Sequence, residues 1–342
     1  MILIMEKNKI MSRNILLSIC IITYNRANNL NETLHSIVSQ DIFNETEHIE
    51  IIVLDNGSTD GTSKTIQKFT TKYGQKIRPF RNEVNILPLN LENLFSHASG
   101  MFIKFNNDTL KHNEGSLYEI VKNINENKSD RKTLFFSNGL LKTSDHVICN
   151  NLDSFVETVS YISTWGGAFG IWKEDFNHFE NFNRHSDLLL PQVDVLFRLI
   201  NSGRSVLINN DKLFLSVDPS RKGGYDLLTI FLDNYTFLLN EQVEKNSLSS
   251  RILTSEKRKL LLKLILPWLV SIRLNPNTYY FEYENWLYRI FHSYRHDLLT
   301  FVKFLILYPL LIMYRISERT MPVFRNFIKN RRILMSKKII AK

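Results

Sequence analysis

Two apolar runs, each followed by a polar turn and an amphipathic segment, constrain the fold of this chain most strongly. The runs ILLSICIIT (15–23) and IEIIVLD (49–55) consist almost entirely of β-branched and aliphatic residues. Such runs are typical of strands that are buried on both faces of a parallel sheet. Amphipathic segments follow both runs, at 30–40 and at 62–73. This strand–helix–strand–helix order predicts a βαβ nucleotide-binding half.

The pattern of alternating strands and helices continues to about residue 225 and then stops. Further predicted helices cover 89–99, 117–125 and 191–201, and further predicted strands cover 77–81, 101–105, 133–137 and 205–209. Beyond residue 225 the chain is helical, aromatic and basic. We therefore predict an N-terminal extension (1–14), an α/β domain (15–225) and a helical C-terminal region (226–342).

Charge is concentrated at the C-terminal end. The chain has a net charge of +9, and residues 315–342 contain nine Lys or Arg against one Glu. This distribution predicts an anionic partner for the tail. Cys20 and Cys149 are too far apart to suggest a disulfide framework or a metal pair, which favours a reducing compartment. No uninterrupted run of about 20 apolar residues is present and MILIM is short for a signal peptide, so we expect neither a membrane span nor export.

Three predicted strands end in polar clusters, at 23–26, 55–60 and 106–108. In parallel α/β sheets, ligands collect beyond the carboxyl ends of strands, where helix N-termini favour anions. Tyr24 could stack on a nucleobase and Arg26 could bind phosphate, although an ordinary strand-to-helix turn would look the same. Asp55 is a candidate to bind a base or ribose, whereas Asp60 is better explained as a turn or capping residue.

These clusters resemble the family 2 glycosyltransferases of the GT-A fold. The resemblance rests on four segments and has weaker echoes in WGGAFGIWKEDF (165–176) and LPQVDVLFRLINSGRSV (190–206). The four segments are LSICIITYNR (17–26), EIIVLDNGSTDGT (50–62), VNILPLNLENL (84–94) and GMFIKFNND (100–108). The implied fold is α/β: a Rossmann-like, mainly parallel sheet flanked by helices, with a helical basic C-terminal extension.

The resemblance implies an inverting transfer of a sugar from a nucleoside-diphosphate sugar to a hydroxyl of an acceptor. Residues 15–110 would bind the donor and 111–225 the acceptor. The implied donor-binding residues are Thr23, Tyr24, Asn25, Arg26, Asp55, Asn85, Asn106 and Asn107. Leu87 stands where relatives often have Gly, so the donor loop is expected to differ here.

The cluster Asn106–Asn107–Asp108 would occupy the family's metal-binding DXD position. Asp108 is its one ionised residue, and neutral amide oxygens bind Mn²⁺ or Mg²⁺ less strongly than carboxylates do. We therefore expect a divalent cation at Asp108 that is bound weakly.

The resemblance places the catalytic base late in the α/β domain. Asp194, in the first turn of the helix 191–201, fits best, with Asp187 and His185 as rivals; a carboxylate that only stabilises the helix dipole is an equal alternative. Trp165, Gly166 and Gly167 are expected to form an acceptor-binding platform, unless Trp165 is simply a core residue beside a tight turn.

The segment FVKFLILYPLLIMY (301–314) precedes the basic tail. This composition favours a segment that lies at the interface of an anionic membrane, so residues 301–342 are expected to bind such a surface. A core helix of an oligomer is the alternative, and no nucleic-acid-binding motif accompanies the charge. We therefore expect a bacterial enzyme on the cytoplasmic face of the plasma membrane that extends a surface polysaccharide or lipid-linked saccharide. The alternative is an inactive nucleotide-sugar-binding subunit that anchors a partner at the membrane.

Overall fold

The two apolar runs form the centre of a five-stranded sheet. In this computed structural model, which describes residues 14–86, 90–143, 146–216 and 222–320, β1 (Leu17–Thr23) pairs in parallel with β2 (Ile49–Asp55). All seven residues of β2 are buried. Burial on both faces explains why β2 is mostly apolar without the alternation of a half-exposed strand, with Glu50 and Asp55 as the exceptions.

Two of the other three strands of this sheet were predicted from the sequence, at 77–81 and 101–105, whereas the edge strand was not. β3 (Ile77–Arg81) lies beside β2, and β4 (Phe102–Asn107) pairs in parallel with β1. The edge strand β8 (Gly170–Trp172) runs antiparallel to β4, which gives the order β3-β2-β1-β4-β8. The expectation of a mixed, mainly parallel sheet flanked by helices is confirmed.

Two smaller sheets complete this part of the chain. β6 (Thr133–Phe136), β7 (Val147–Cys149) and β9 (Val206–Asn209) form one, and β5 (Leu110–His112) pairs with β10 (Phe214–Ser216) in the other. The helices here are α1 (Ala27–Val38), α2 (Asp41–Glu45), α3 (Thr62–Tyr73), α4 (Asn90–Ser96), α5 (Ser116–Asn127), α6 (Leu152–Val159), α7 (Lys173–Asn177) and α8 (Pro191–Asn201). Four short 3₁₀ turns lie at Gly74–Lys76, Ser160–Thr164, Gly166–Ala168 and Ser186–Leu188.

The chain divides into two units, and the division differs from the predicted one. The first unit runs to Pro219 and also contains Phe237–Leu253; the second contains Ser220–Thr236 and the residues from Thr254 onward. Residues 237–253, which we assigned to the C-terminal region, therefore belong with the α/β domain. Local periodicity could not show this, because a helix has the same pattern whichever unit it packs against.

The remaining elements are mostly helical, as predicted for the C-terminal extension. They are α9 (Tyr235–Glu244), α10 (Ser250–Lys259), α11 (Leu266–Leu274), α12 (Trp286–Tyr294) and α13 (Leu298–Thr320), the π-helical turns Thr229–Asn234 and Leu260–Ile265, and the parallel pair β11 (Lys222–Asp226) and β12 (Tyr279–Glu282).

Helix α13 corrects the expectation that no segment could span a membrane. A stretch of 18 residues within Leu298–Glu318 has a mean hydropathy of 1.7, and by length and composition this helix could cross a bilayer. Lys303 and Pro309 interrupt the apolar run, and Arg315 and Glu318 lie near its end, but the many aliphatic residues between them keep the average high. The basic residues beyond position 320 lie outside the described part of the chain.

A lysine lies in the core of the first unit, on the central strand β4. Lys104 is fully buried, and its ammonium donates hydrogen bonds to the carbonyls of Phe105 and Gly167. The rings of Phe136 and Phe214 lie 5.4 and 4.9 Å from Nζ. Burial lowers the pKa of Lys104 to about 7. Carbonyls and ring faces thus solvate this amine in place of water.

This lysine should make stability depend on pH. The pKa of a lysine in the unfolded chain is about 10.4. Between pH 7 and 10 the unfolded chain therefore binds one more proton at Lys104 than the folded chain does. The destabilising effect of Lys104 on the fold should thus decrease as the pH rises. Relative to Lys104→Met, the wild type should gain up to about 1.4 kcal/mol of unfolding free energy per pH unit, measured by urea unfolding at pH 7, 8 and 9. Parallel pH profiles for the two proteins would contradict the assignment.

Candidate functional site

A cavity of about 320 Å³ lies at the carboxyl ends of β1 and β4. Its lining residues come from these strands, from the starts of α1, α4 and α8, and from the 3₁₀ turn Gly166–Ala168. They are Ile22, Arg26, Leu91, Phe105, Asn107, Asp108, Gly166, Leu189, Pro191 and Gln192. The cavity thus unites four of the predicted site residues: Arg26, Asn107, Asp108 and Gly166. Leu189, Pro191 and Gln192 were missed, because they lie outside the polar clusters that follow the predicted strands.

Asn25 ties the first polar cluster to the second. It has a left-handed backbone with φ of +51°, which asparagine tolerates better than most residues. Its backbone N–H donates to Ser58 Oγ (2.9 Å), and its side-chain oxygen accepts from the N–H of Thr59 (2.8 Å). Tyr24, beside it, is 43% exposed and thus open to a stacking partner. Asn25 therefore positions the loops, and the adjacent Tyr24 is left free for a ligand.

The carboxylate of Asp55 is engaged within the protein. Asp55 is buried, its Oδ1 accepts from the N–H of Ser58 (2.9 Å), and its Oδ2 pairs with Arg81. Arg81 also donates to the backbone oxygen of Ser58. A base or ribose would have to share this carboxylate with Arg81. Asp60 plays the predicted turn role, accepting from the N–H groups of Ala27 and Thr62.

A chain of asparagine amides supports the loop after β3. Asn56 Oδ1 accepts from Asn82 Nδ2 (3.0 Å) and from the N–H of Ile86 (3.1 Å), and Asn56 Nδ2 donates to Asn85 Oδ1. Asn93 in turn donates to Asn82 (3.0 Å). Asn85, a predicted donor-binding residue, therefore helps to hold the loop after β3 in place. Leu87 lies outside the described residues.

Asn106 points into the core. It is fully buried, and its amide donates to the carbonyls of Asn107 and Leu110, both at 3.0 Å. His112 Nε2 lies 3.0 Å from its Oδ1; burial first, and the nearby Lys104 charge second, lower the pKa of His112 to about 3, so the neutral imidazole donates this bond. Every polar group of the Asn106 side chain is thus used internally. A ligand role for Asn106 would require these bonds to break.

Asp108 faces the cavity and pairs with a cation of the protein. It is 3% exposed, and Arg26 Nη1 lies 2.9 Å from its Oδ1. Burial raises the pKa of Asp108, and the charge of Arg26 opposes that shift. Beside it, Asn107 Oδ1 is buried without a hydrogen-bond partner among the described residues. The corner therefore offers one carboxylate and one unsatisfied amide oxygen.

The glycine turn closes one wall of the cavity. A Cβ at Gly166 would lie 2.8 Å from the ring of Phe105, and a Cβ at Gly167 would lie 2.8 Å from the indole of Trp165. The Trp165 ring also contacts Phe214. Trp165 thus packs under Gly167, as in the core-residue alternative, and of the three predicted platform residues Gly166 is the one among the cavity-lining residues.

Asp194 lies in a buried ion-pair network. It is 1% exposed and is held by Arg184 and by Arg198, whose Nη1 lies 3.4 Å from Oδ2. Arg184 Nη2 also pairs with Glu241 (2.9 Å), and His185 Nε2 lies 3.5 Å from the same carboxylate. Asp187 is exposed, on the 3₁₀ turn Ser186–Leu188. None of the three predicted bases is among the residues that line the described cavity.

The network could be mistaken for a metal centre. Ligand atoms of His185, Asp194 and Glu241 lie within 4.8 Å of one another. However, Arg184 pairs with both carboxylates, and Lys245 Nζ lies 2.9 Å from Glu241. Cations of the protein therefore already balance these acids. The sequence could not have indicated Glu241, because it lies on α9, beyond the predicted domain boundary.

Comparison with known proteins identifies the family of the segment that contains the three polar clusters. Residues 18–131 match the family model described as glycosyl transferase family 2. This segment belongs to glycosyl transferase family 2. It contains β1, β2 and β4, and with them the Arg26–Asp108 corner.

Curated relatives match over short stretches. Abequosyltransferase RfbV of Salmonella typhimurium is 47% identical over 73 residues, which are 21% of this chain and 21% of that protein. The putative glycosyltransferase EpsE of Bacillus subtilis is 35% identical over 81 residues, 23% of this chain and 28% of that protein. The matches thus span only about a fifth to a quarter of the length of these relatives.

Solved structures share the fold over most of the chain. S. aureus TarS 1–349 in complex with UDP has a TM-score of 0.53 at 14% identity, covering 84% of this chain and 89% of that one. The mannosyltransferase PcManGT from Pyrobaculum calidifontis, in complex with GDP-Man and Mn²⁺, has a TM-score of 0.52 at 14% identity and covers 88% of each. The predicted GT-A fold of the family 2 domain is therefore confirmed.

Replacing Asp194 should test whether its role is structural. Asp194→Asn leaves Arg184 and Arg198 without their buried partner, which should lower the free energy of unfolding by about 3 kcal/mol in urea titrations. The exposed Asp187→Asn is the matched control and should change it by less than about 0.5 kcal/mol. Equal unfolding midpoints for Asp194→Asn and the wild type would contradict the structural role.

Proposed function

We propose that this protein is an inverting glycosyltransferase that moves a sugar from a nucleoside-diphosphate sugar to a hydroxyl of a saccharide or lipid-linked acceptor. The observation that carries the proposal is the cavity at the ends of β1 and β4, where a family 2 domain combines Arg26, Asn107 and Asp108. A guanidinium beside a carboxylate in a half-open cavity suits a diphosphate, which needs cationic groups and hard oxygen donors for a counter-ion.

The residues of the chain can bind and orient the donor. The exposed ring of Tyr24 offers a stacking surface for a base, and Arg26 has N–H groups beyond the one that pairs with Asp108. Gly166 is needed in this wall of the cavity, because a Cβ there would lie 2.8 Å from the ring of Phe105. Binding the diphosphate near Arg26 would also stabilise the negative charge that develops on the leaving group.

The corner also fits a divalent cation. Asp108 supplies a carboxylate, and the buried oxygen of Asn107 has no hydrogen-bond partner among the described residues, so it is available as a second hard ligand. Asn106 does not fit, since its amide is fully used. When bound, Mn²⁺ or Mg²⁺ neutralises charge on the departing diphosphate. Two oxygens from the protein are few, which supports weak binding.

A base must take the proton of the acceptor hydroxyl. Two arginines engage Asp194, and Glu241 lies beside His185, whereas Asp187 is exposed two residues before the cavity-lining Leu189. We therefore favour Asp187 over Asp194 and His185 as the base. The alternative function is a catalytically inactive, nucleotide-sugar-binding subunit; the single carboxylate of the corner favours that alternative.

Sugar transfer should depend on Asp108. We expect release of nucleoside diphosphate from one member of a panel of UDP-, GDP-, CDP- and dTDP-sugars, with bacterial membrane extract as acceptor and Mn²⁺ present. Asp108→Ala should lower turnover at least about 100-fold, because the corner loses its carboxylate, and Asp187→Asn should lower turnover by a similar factor. Donor binding without release by the wild type would instead establish the inactive subunit, and full activity of Asp108→Ala would remove Asp108 from the mechanism.

We further propose that the protein binds the cytoplasmic face of an anionic membrane through α12, α13 and the basic tail. α13 has 23 residues and is about 34 Å long. Most of its apolar side chains are exposed, and the contact of so much apolar surface with water is unfavourable. Phe291 of α12 packs against Phe301 of α13 and extends the same apolar surface. The exposed apolar residues of the two helices are Leu287, Tyr288, Phe291, Leu298, Leu299, Val302, Leu305, Ile306, Leu307, Leu310, Met313 and Ile316. The basic sequence after Thr320 adds attraction to anionic lipids.

Charges placed on this apolar surface should weaken binding to vesicles. Val302→Glu with Ile306→Glu changes two exposed positions and leaves the buried Phe304 in place, so the fold should be retained. In flotation with phosphatidylglycerol vesicles, we expect the double variant to lose at least about 90% of the bound protein, because binding at the interface requires burial of this apolar face and the added carboxylates would have to be desolvated and are repelled by anionic lipid. The exposed Tyr118→Glu, on α5, is the control, and unchanged flotation of the double variant would refute the membrane proposal.

A further inference from the structure

We propose that the guanidinium of Arg26 competes with a divalent cation for the carboxylate of Asp108, and that a diphosphate opens the cation site by drawing Arg26 away. This deepens the proposed function and rests on it in taking Asp108 as the carboxylate ligand. It assigns Arg26 a regulatory role at the corner in addition to donor binding: cation and diphosphate should each strengthen the binding of the other.

Arg26 and Asp108 share one hydrogen bond, and Arg26 is much more exposed than Asp108. Arg26 Nη1 lies 2.9 Å from Asp108 Oδ1, and this is the one side-chain hydrogen bond of Arg26 within the described part of the chain. The Arg26 side chain is 44% exposed, whereas that of Asp108 is 3% exposed. Asp108 is therefore fixed in the wall, and Arg26 is the partner that can swing away into solvent.

A guanidinium and a divalent cation cannot both use this carboxylate well. Among the described cavity-lining residues, Asp108 carries the one carboxylate and Arg26 the one cationic side chain. A cation bound to Asp108 would stand within a few ångströms of the guanidinium, and like charges at that separation in a partly buried site repel strongly. Occupation by one should therefore lower the affinity for the other.

The arrangement with Arg26 on Asp108 also leaves a polar atom unsatisfied. Asn107 Oδ1 is buried with no hydrogen-bond partner in the described residues, although it belongs to the neighbouring residue of the same corner. A buried oxygen without a hydrogen bond is unfavourable, because it has lost its water and gained no partner. Arg26 therefore neutralises the carboxylate but does not complete the corner, whereas a cation with oxygen preference would use both groups.

A diphosphate gives Arg26 an alternative partner. The fork of a guanidinium matches phosphate oxygens in a bidentate manner, and the half-exposed Arg26 lines the cavity in which the donor is proposed to bind. When Arg26 shifts to phosphate, Asp108 becomes free. By linkage, the diphosphate must then raise cation affinity by the same factor by which the cation raises diphosphate affinity.

The test is Mn²⁺ binding to the full-length protein, measured by electron paramagnetic resonance of free Mn²⁺. Arg26→Ala should bind Mn²⁺ at least about tenfold more tightly than the wild type, because the competing charge is gone. Arg26→Gln keeps much of the side-chain length without the charge and should behave alike. Lys111→Met, which removes a cation that pairs instead with Glu32 (3.3 Å), is the matched control and should change the Kd less than twofold. Asp108→Asn should abolish binding.

A second measurement tests the role of the diphosphate. With inorganic pyrophosphate present, Mn²⁺ retained by the protein on ultrafiltration should rise for the wild type and much less for Arg26→Ala. Arg26→Ala and Arg26→Gln that bind Mn²⁺ no more tightly than the wild type, or an equal effect of pyrophosphate on both proteins, would overturn the proposal. Neither assay requires turnover, so failure of sugar transfer and failure of this competition are separate results.

Discussion

The parallel pairing of β1 with β2 on one side and with β4 on the other determines where the candidate residues of this protein lie. Thr23 stands opposite Asp55, and Ile22 opposite Asn107, so the three strands end at one edge of the sheet. The loops that follow are then tied together by polar groups rather than by apolar packing, with Asn25 as the central link. The cavity lies where β1 and β4 stop at the same level.

Arginine side chains balance the charges of buried carboxylates in this fold. Each buried acid discussed above has an arginine partner: Asp55 pairs with Arg81, Asp108 with Arg26, and Asp194 with Arg184. Buried carboxylates need such partners, since desolvation of an unpaired charge is costly. In all three pairs the arginine is the more exposed member, and in the cavity a ligand would therefore meet the guanidinium of Arg26 before the carboxylate of Asp108. This order suits the recognition of anionic substrates.

The sequence predicted the sheet well, because continuous β-branched runs and turn-rich breaks have few alternative structures. The helices 62–73 and 191–201 and the strand 77–81 begin and end where predicted. The site was less predictable. Neighbours on a strand point in opposite directions, and the sequence did not reveal which of Asn106 and Asn107 would face inward. Partners such as Arg184 with Glu241 depend on a tertiary contact across 57 positions, for which no local pattern exists.

Because Phe237–Leu253 belongs to the first unit, a fragment that ends before these residues cannot form that unit completely. Its polypeptide is discontinuous, so a fragment cut at the end of the alternating strands and helices would lack α9 and the Glu241 carboxylate that accompanies Arg184 and His185. The α/β domain is therefore not an independent module in the linear sense. Synthesis must proceed beyond Glu241 before the Arg184–Glu241 ion pair can close, so this unit is completed only after the alternating strands and helices have been made.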